Sequence, residues 1–345
     1  MRALTLTTPS GIGALQVRDV PAPALRELSD VRIRVHAAAI NRLDLMVTDG
    51  LPGVNLTFPH VMGTDAAGVV DSVGADVQGL NPGDHVMVNP GVSCGHCAAC
   101  LAGEQSLCRD FGILGEHRPG TAAEFIVVPE SNVARVPEGM GWPAAAAFSL
   151  AALTSWRMLV SRAAVRPAET VLVWGAGGGV AQAAIGIARL AGATVIAASG
   201  SDDKLEIARR LGAAHLINHV TQDVVAEVKR ITGRRGADIV VDSVGEQTWP
   251  RSLRCLARGG RLVTCGATTG PMVGLDVRKL FWHQWSILGS TMGNHREYAA
   301  VVSLAARGEL WPVVDSVVPL ERSVEVFRRM AANEQSGKLV IEVAP

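Results

Sequence analysis

The sequence predicts an α/β chain in two parts: a small, partly open β-barrel and a doubly wound parallel sheet. Three observations carry this. Residues 1 to about 130 alternate short apolar strands with turns. From about residue 150, strands alternate with helices instead. Within the second part lies Val171 to Gly192, VLVWGAGGGVAQAAIGIARLAG, which reads as strand, glycine turn and helix.

In the first part, Val31 to His36 alternates apolar and polar residues with period two, as a strand with one wet face does. Val69 to Gly74 and His85 to Val88 are further strands, separated by the turn Asn81-Pro82-Gly83-Asp84. Ala122 to Val128 is another, ended by Pro129. In the second part, Val171 to Trp174 is a buried strand, and the helix from Val180 to Ala191 is capped by Gly192. The glycines read best as Gly175-x-x-Gly178-x-x-Ala181. They let a pyrophosphate approach the backbone at a helix N-terminus, where N–H groups are unpaired. Gly175, Ala176, Gly177, Gly178, Gly179 and Val180 are the candidate contacts.

Strands follow at Thr194–Ala198, His215–Ile217, Asp238–Asp242, Arg261–Cys265 and Ser286–Gly289. Ser201-Asp202-Asp203 caps one crossover helix, which Gly212 stops, and Asp223 to Ile231 forms another. Six strands with helical crossovers place a ligand outside the strand C-termini. The tail from Arg296 holds two helices and a last strand, Leu339 to Val343, expected to pack on the first part.

Composition excludes several classes. Lysine plus arginine equals aspartate plus glutamate, 32 each, so there is no basic field for nucleic acid. The N-terminus lacks a signal-peptide segment, and no charge-free apolar run of about 18 residues stands out. A cytoplasmic protein is expected. Four of the six cysteines fall between Cys94 and Cys108 as C-x2-C-x2-C-x7-C. Cys94, Cys97, Cys100 and Cys108 in one loop can close a tetrahedron around a structural zinc. Cys255 and Cys265 read as core thiols, His96 as a loop residue, and Tyr298 as core.

The chain resembles the medium-chain dehydrogenases, the group of zinc alcohol dehydrogenases and quinone oxidoreductases. The resemblance runs end to end through Gly63-Thr64-Asp65-Ala66-Ala67-Gly68, Pro82-Gly83-Asp84-His85-Val86, the four-cysteine lobe, Gly120-Thr121-Ala122-Ala123-Glu124-Phe125, the glycine turn and Gly337-Lys338. It implies a GroES-like catalytic domain at 1–150 and 293–345, a Rossmann NADP-binding domain at 151–292, and an active site in the cleft. It also implies cofactor contacts from Thr154, Val244, Gly266, Ala267, Thr268, Leu288, Gly289, Ser290 and Lys338, a small-molecule substrate, and a homodimer or homotetramer.

The departures bear on the chemistry. Catalytic zinc in the alcohol dehydrogenases uses a Cys, a His and a later Cys or acid. The matching positions here are Asn41, Thr64 and Leu150. Asn41 follows the quinone-oxidoreductase pattern. The expected activity is therefore hydride transfer between NADP(H) and a small carbonyl, quinone or enone without catalytic zinc. Asn41 and Thr64 would polarise the substrate oxygen, and Asp44 would orient them. A zinc alcohol dehydrogenase with an atypical site, using His60, Asp44 and Asp65, is the alternative. A crystallin-like protein that binds nucleotide without turnover is a second. Ser199 ends the second strand where an acid would hold the NAD ribose; with Lys204 and His219 it favours a 2′-phosphate, so NADP(H) is expected and NAD(H) remains open. Arg42 is a surface or substrate cation, Glu116-His117 a loop pair able to line the cleft, and Phe281, Trp282 and Trp285 core or interface.

Overall fold

The computed structural model describes residues 1–344. The chain divides into two compact units, Met1–Leu150 with Gly293–Pro345, and Ala151–Met292.

The second unit is a six-stranded parallel sheet. Its spatial order is His215–Asn218, Thr194–Ser199, Thr170–Trp174, Ala237–Val241, Leu256–Thr264, Ser286–Gly289. This is the doubly wound order, with the switch beside the first strand in sequence. Thr170–Trp174 is buried throughout because parallel strands are covered on both faces. The helix Gly179–Leu190 covers it, burying Ala181, Ala184, Ile185 and Ala188. Small residues there allow the close packing that the glycine turn requires. Gly192 follows the helix at φ +78°, a left-handed position.

Two elements differ from the sequence reading. The fifth strand starts at Leu256, not Arg261: Leu256 pairs with Ala237, then the register jumps so that Ile239 meets Arg261. Gly259 at φ +71° lets the chain bulge between the two pairings. Ser201 precedes its helix but makes no side-chain cap bond. Asp223 does cap, accepting from the amides of Val225 and Ala226.

The first unit is a curved antiparallel sheet built on the long strand Asp30–Ile40. It pairs with Asp65–Val73, Phe125–Pro129 and Lys338–Glu342. The last strand of the chain thus joins the N-terminal sheet, with Leu339 opposite Ile40. Leu4, Ile33, Ile40, Met62, Phe327 and Leu339 share one core. The strand expected from Ala122 begins only at Phe125, because Ala122 bonds to Met62 and Leu4 instead. A strand at Val314–Pro319, parallel to Lys338–Glu342, escaped the sequence reading. Its half-exposed residues show no clean alternation.

The helix Trp142–Trp156, prolonged to Arg162, is long and apolar enough to cross a membrane by length and composition. The sequence reading found no such run. In the fold, 78% of its apolar window is buried inside the protein, as in a core helix.

Candidate active site and cofactor-binding turn

The four-cysteine lobe is local. Cys97 immediately precedes the short helix Ala98–Leu101, which carries Cys100, and Gly95 at φ +79° turns the chain between Cys94 and Cys97. All four Sγ atoms lie within 4.8 Å of one another. Cys94 Sγ is 3.5 Å from Cys108 Sγ and 3.9 Å from Cys100 Sγ. A tetrahedron with Zn–S near 2.3 Å requires sulfurs about 3.8 Å apart. The cluster fits one structural zinc with no open position. Backbone amides of His96 and Cys97 pull the Cys94 thiol down to about 6, favouring the thiolate that binds metal.

A second polar cluster lies in the same unit. Asn41 ends the strand Asp30–Ile40 and opens the helix Arg42–Asp49; Thr64 and Asp65 stand at the start of Asp65–Val73; Lys338 opens the last strand. Asp44 Oδ2 accepts the Asn41 amide at 2.7 Å, and Asp44 Oδ1 accepts the Thr64 hydroxyl at 2.8 Å. Asp65 Oδ2 accepts from Asn41 Nδ2 at 2.9 Å and from Lys338 Nζ at 3.0 Å. Asp65 Oδ1 accepts the Leu150 amide at 2.8 Å. Lys338 Nζ also donates to Asn41 Oδ1. An ammonium only donates and a carboxylate only accepts, so these partners fix which way the Asn41 amide points. Lys338 is 4% exposed and Asp65 fully buried. Burial pushes the Asp44 carboxyl up to about 7, against the pull of its two donors and of Lys338.

This donor set does not fit a catalytic zinc. The Asn41 oxygen is taken by Lys338, the Thr64 hydroxyl serves Asp44, and Leu150 offers only its backbone amide. The Lys338 ammonium would repel a divalent cation at this place. His60, the nearest imidazole in sequence, bonds Gly115 O through Nε2 at 3.0 Å. Lys338 itself is corrected: sequence reading set it against the cofactor, whereas its ammonium is held by Asp65 and Asn41. Arg42 is corrected too, since it donates to Met330 O and Asn333 and ties two helices together.

In the second unit, the candidate cofactor residues ring the C-terminal ends of the parallel strands. Gly175, at φ +71°, turns the chain after Trp174, and Gly178 caps the helix with its amide on Gly175 O at 2.9 Å. A Cβ on Gly177 would stand 2.5 Å from Lys204 Cδ, so the Lys204 stem lies across the turn. A Cβ on Gly175 would touch Val244 at 3.8 Å. Ser199 ends its strand buried, and His219 lies against Gly200. The Thr268 hydroxyl donates to Ser243 O at 3.2 Å. Gly266, Ala267, Leu288 and Gly289 complete the rim, and Thr154 turns its hydroxyl to Met292 Sδ. Buried polar atoms without partners on this rim are Trp174 Nε1, both amide atoms of Gln182, and Ser290 Oγ. Glycine turn, helix start and unspent polar groups fit a dinucleotide.

Sequence reading missed Arg251. Its guanidinium stands 5.0 Å over the Trp174 ring. Together with burial it holds the His219 imidazole below its ordinary range. No motif marks it, since it sits 77 residues beyond Trp174 in an ordinary helix. Tyr298 is buried with its hydroxyl on Ser149, and burial pushes the thiols of Cys255 and Cys265 up to about 12. Phe281 and Trp282 are not core: they are 64% and 66% exposed.

Residues 27–138 match the alcohol dehydrogenase GroES-like domain, and residues 179–307 match the zinc-binding dehydrogenase domain. An NAD-dependent alcohol dehydrogenase of Sulfurisphaera tokodaii is 32% identical, with 99% of each chain covered. The chain belongs to the medium-chain dehydrogenase/reductase family. Human quinone oxidoreductase is 26% identical over 99% of this chain and 97% of its own. The solved structure of an NAD-dependent alcohol dehydrogenase has a TM-score of 0.96 at 44% identity, covering both chains fully. The first unit is accordingly the GroES-like part of the fold and the second the Rossmann part. The protein is an NAD(P)-binding oxidoreductase of this family, and its cysteine lobe fits the structural zinc.

Proposed function

We propose that this medium-chain dehydrogenase interconverts a small alcohol and its carbonyl, with the substrate oxygen polarised by side chains rather than by zinc. One observation carries it: the buried Thr64–Asp44 hydrogen bond lies in one cluster with Asn41, Asp65 and Lys338, and Asn41 and Thr64 are positions at which the resemblance expects zinc ligands. A bound nicotinamide supplies the hydride acceptor or donor. Thr64 Oγ takes the proton of the substrate hydroxyl as its own proton moves to Asp44 Oδ1. Asn41 offers the second N–H of its amide to the developing alkoxide. Lys338 on the amide oxygen strengthens that donor, because hydrogen bonds in a chain polarise one another. The names of the relatives favour alcohols over quinones as substrates.

The second reading, a zinc-assisted alcohol dehydrogenase with an atypical site, is favoured by those same names. Metal analysis beside activity separates the two. Turnover at one zinc per chain, insensitive to a chelator that spares the lobe, supports the first. A second zinc, lost together with activity, overturns it.

We infer a preference for NADPH from Ser199, Lys204 and His219, joined by Arg251. No acid stands at Ser199 to repel a 2′-phosphate, and one charge-assisted hydrogen bond contributes about 1.5–3 kcal/mol, or roughly tenfold to hundredfold. Equal dissociation constants for NADPH and NADH at low salt would restore an NAD reading. The edge strand Ser286–Gly289, with exposed Val277, Phe281 and Trp282 on the helix that precedes it in the chain, supports a homodimer joined there. Light scattering of the purified protein tests it.

A further inference from the structure

We propose that Asp242 is a positioning residue for the nicotinamide half of the cofactor, an inference that rests on the nicotinamide-cofactor reading above. It acts through the two loops that follow the strands Ala237–Val241 and Leu256–Thr264 of the second unit.

A buried charge needs a partner, and a cation is the usual one. Asp242 is fully buried at the end of Ala237–Val241, with no ion-pair partner among the described residues. Hydrogen bonds take the cation's place. Oδ1 accepts the amides of Val244 at 2.9 Å and Gly245 at 3.2 Å, and the Thr248 hydroxyl at 2.8 Å. Oδ2 accepts the Ser252 hydroxyl at 2.6 Å. Bonds to an ionised acceptor are stronger than neutral ones. Together they close the turn 243–248 onto the strand end and tie it to the helix Trp249–Cys255.

The pinned turn holds a second loop. Thr269 N donates to Val244 O at 2.7 Å, Thr268 N to Ser243 O at 3.3 Å, and Glu246 N to Gly270 O at 3.1 Å. Backbone meets backbone here: a Cβ on Gly245 would stand 2.6 Å from Gly270 O. Gly245, at φ +97°, is the residue type that this approach requires. Turn 243–248 thus sets the place of loop 266–270, and Asp242 sets the place of the turn. On another side the turn meets the glycine turn, since a Cβ on Gly175 would lie 3.8 Å from Val244 Cγ2.

Strand order assigns this assembly to one half of the cofactor. A doubly wound sheet binds a dinucleotide across its switch point, one mononucleotide on each half. The half built on Thr170–Trp174 and Thr194–Ser199 carries the glycine turn and Ser199, suited to pyrophosphate and adenosine. The half built on Ala237–Val241 and Leu256–Thr264 carries the Asp242 assembly and is left for the nicotinamide nucleoside. Glycines preset the first half; a buried carboxylate presets the second.

Calorimetric titration of the full zinc-loaded chain with NADH, NADPH and ADP tests this. ADP carries adenosine and pyrophosphate but no nicotinamide. Asp242→Ala is expected to weaken both reduced cofactors about tenfold or more, since a loop that must be ordered on binding costs affinity, and ADP by less than about twofold. Damage to the whole unit would weaken all three alike. Asp242→Asn keeps an acceptor oxygen for the two amides, and its NH₂ can donate to Ser252 Oγ, so it should recover most of the loss. Should Asp242→Ala fail to fold, Thr248→Val removes one bond to Oδ1 and should show the same split at smaller size. Equal losses for ADP and the reduced cofactors, or full affinity in a folded Asp242→Ala, would overturn the positioning role. A wild type that binds ADP but neither reduced cofactor removes the nicotinamide reading itself, and the inference with it.

Discussion

The first unit holds two polar centres built in opposite ways. The cysteine lobe draws all its ligands from one loop, Cys94 to Cys108. The Asn41 cluster draws on residues as far apart as Asn41 and Lys338, 297 positions along the chain. One centre is designed around a metal. The other holds an internal cation, Lys338, whose charge Asp65 balances. A lysine can hold a site electrostatically, but it leaves no open coordination position for substrate.

The strongest way to test that contrast is to take the metal away. Chelation of the lobe zinc should unfold residues 94–108, because the site exists only when the chain is folded. Structural zinc contributes about 10–16 kcal/mol in small zinc-binding peptides. Cys97→Ser should act in the same direction. Proteolysis should cut within the lobe of the stripped or substituted protein, while nucleotide binding by the second unit changes little. If the Asn41 cluster needs no metal, its own activity should fall only as far as the lobe's unfolding reaches it. Protection of the stripped lobe equal to that of the loaded one would show that zinc does not hold it.

Lys338→Met comes next in size. It leaves the Asp65 carboxylate fully buried without its cation, and breaking a buried pair costs about 3–5 kcal/mol. Pairing it with Asp65→Asn should recover much of this, since the amide leaves no uncompensated charge. Urea denaturation of the single and double variants measures both. A single variant as stable as the wild type would mean that the pair is not a cation substitute at all.

These centres also differ in how far they could be read from sequence. Cysteine spacing shows a metal lobe directly, because geometry and sequence are close together there. The glycine turn was legible for the same reason: strand, turn and helix are consecutive. The Asn41 cluster was only half legible. Asn41 and Thr64 stood out as departures at known positions and Asp44 as their orienter, but Lys338 looked like a cofactor contact. Its real partners come from a strand pairing that joins the two ends of the chain, Leu339 opposite Ile40. Arg251 was invisible, since nothing local marks a guanidinium that acts across a sheet. The strand Val314–Pro319 was missed because an edge strand with half-exposed residues lacks the alternation that reveals a buried one.

Within the Asn41 cluster, donor and base should separate in kinetics. Asn41→Ala removes one polarising donor, and loss of a comparable oxyanion-hole donor costs about 10²–10³ in turnover. The loss should appear in kcat more than in KM, since the hydrogen bond tightens as the alkoxide forms. Asn41 also braces Asp65 and Lys338, so stability must be measured on the same variant. Full turnover in a folded Asn41→Ala would remove Asn41 from the chemistry.

The smallest expected effect is the pH response of Asp44, and it separates the two centres most cleanly. The Asp44 carboxyl titrates at about 7 in the fold against 3.8 for an ordinary aspartate, chiefly because it is buried. Asp65 pushes in the same direction, while the Asn41 amide, the Thr64 hydroxyl and Lys338 pull the other way. As the acceptor for Thr64, it must be ionised for alcohol oxidation. Oxidation should therefore rise about tenfold per pH unit below 7 and level off above it, while carbonyl reduction should favour the protonated form below 7. The stability consequence has the opposite slope to activity. Between pH 3.8 and about 7 the folded chain holds a proton that the unfolded chain has lost. This contribution falls as pH rises across that window and is flat above it. Asp44→Asn should abolish the activity step near pH 7 and flatten the stability change. A zinc-bound hydroxyl could produce a similar activity step, but the step would follow metal content and would leave the stability profile of the metal-stripped chain untouched. An oxidation rate independent of pH from 6 to 8 in the wild type would remove Asp44 as the proton acceptor.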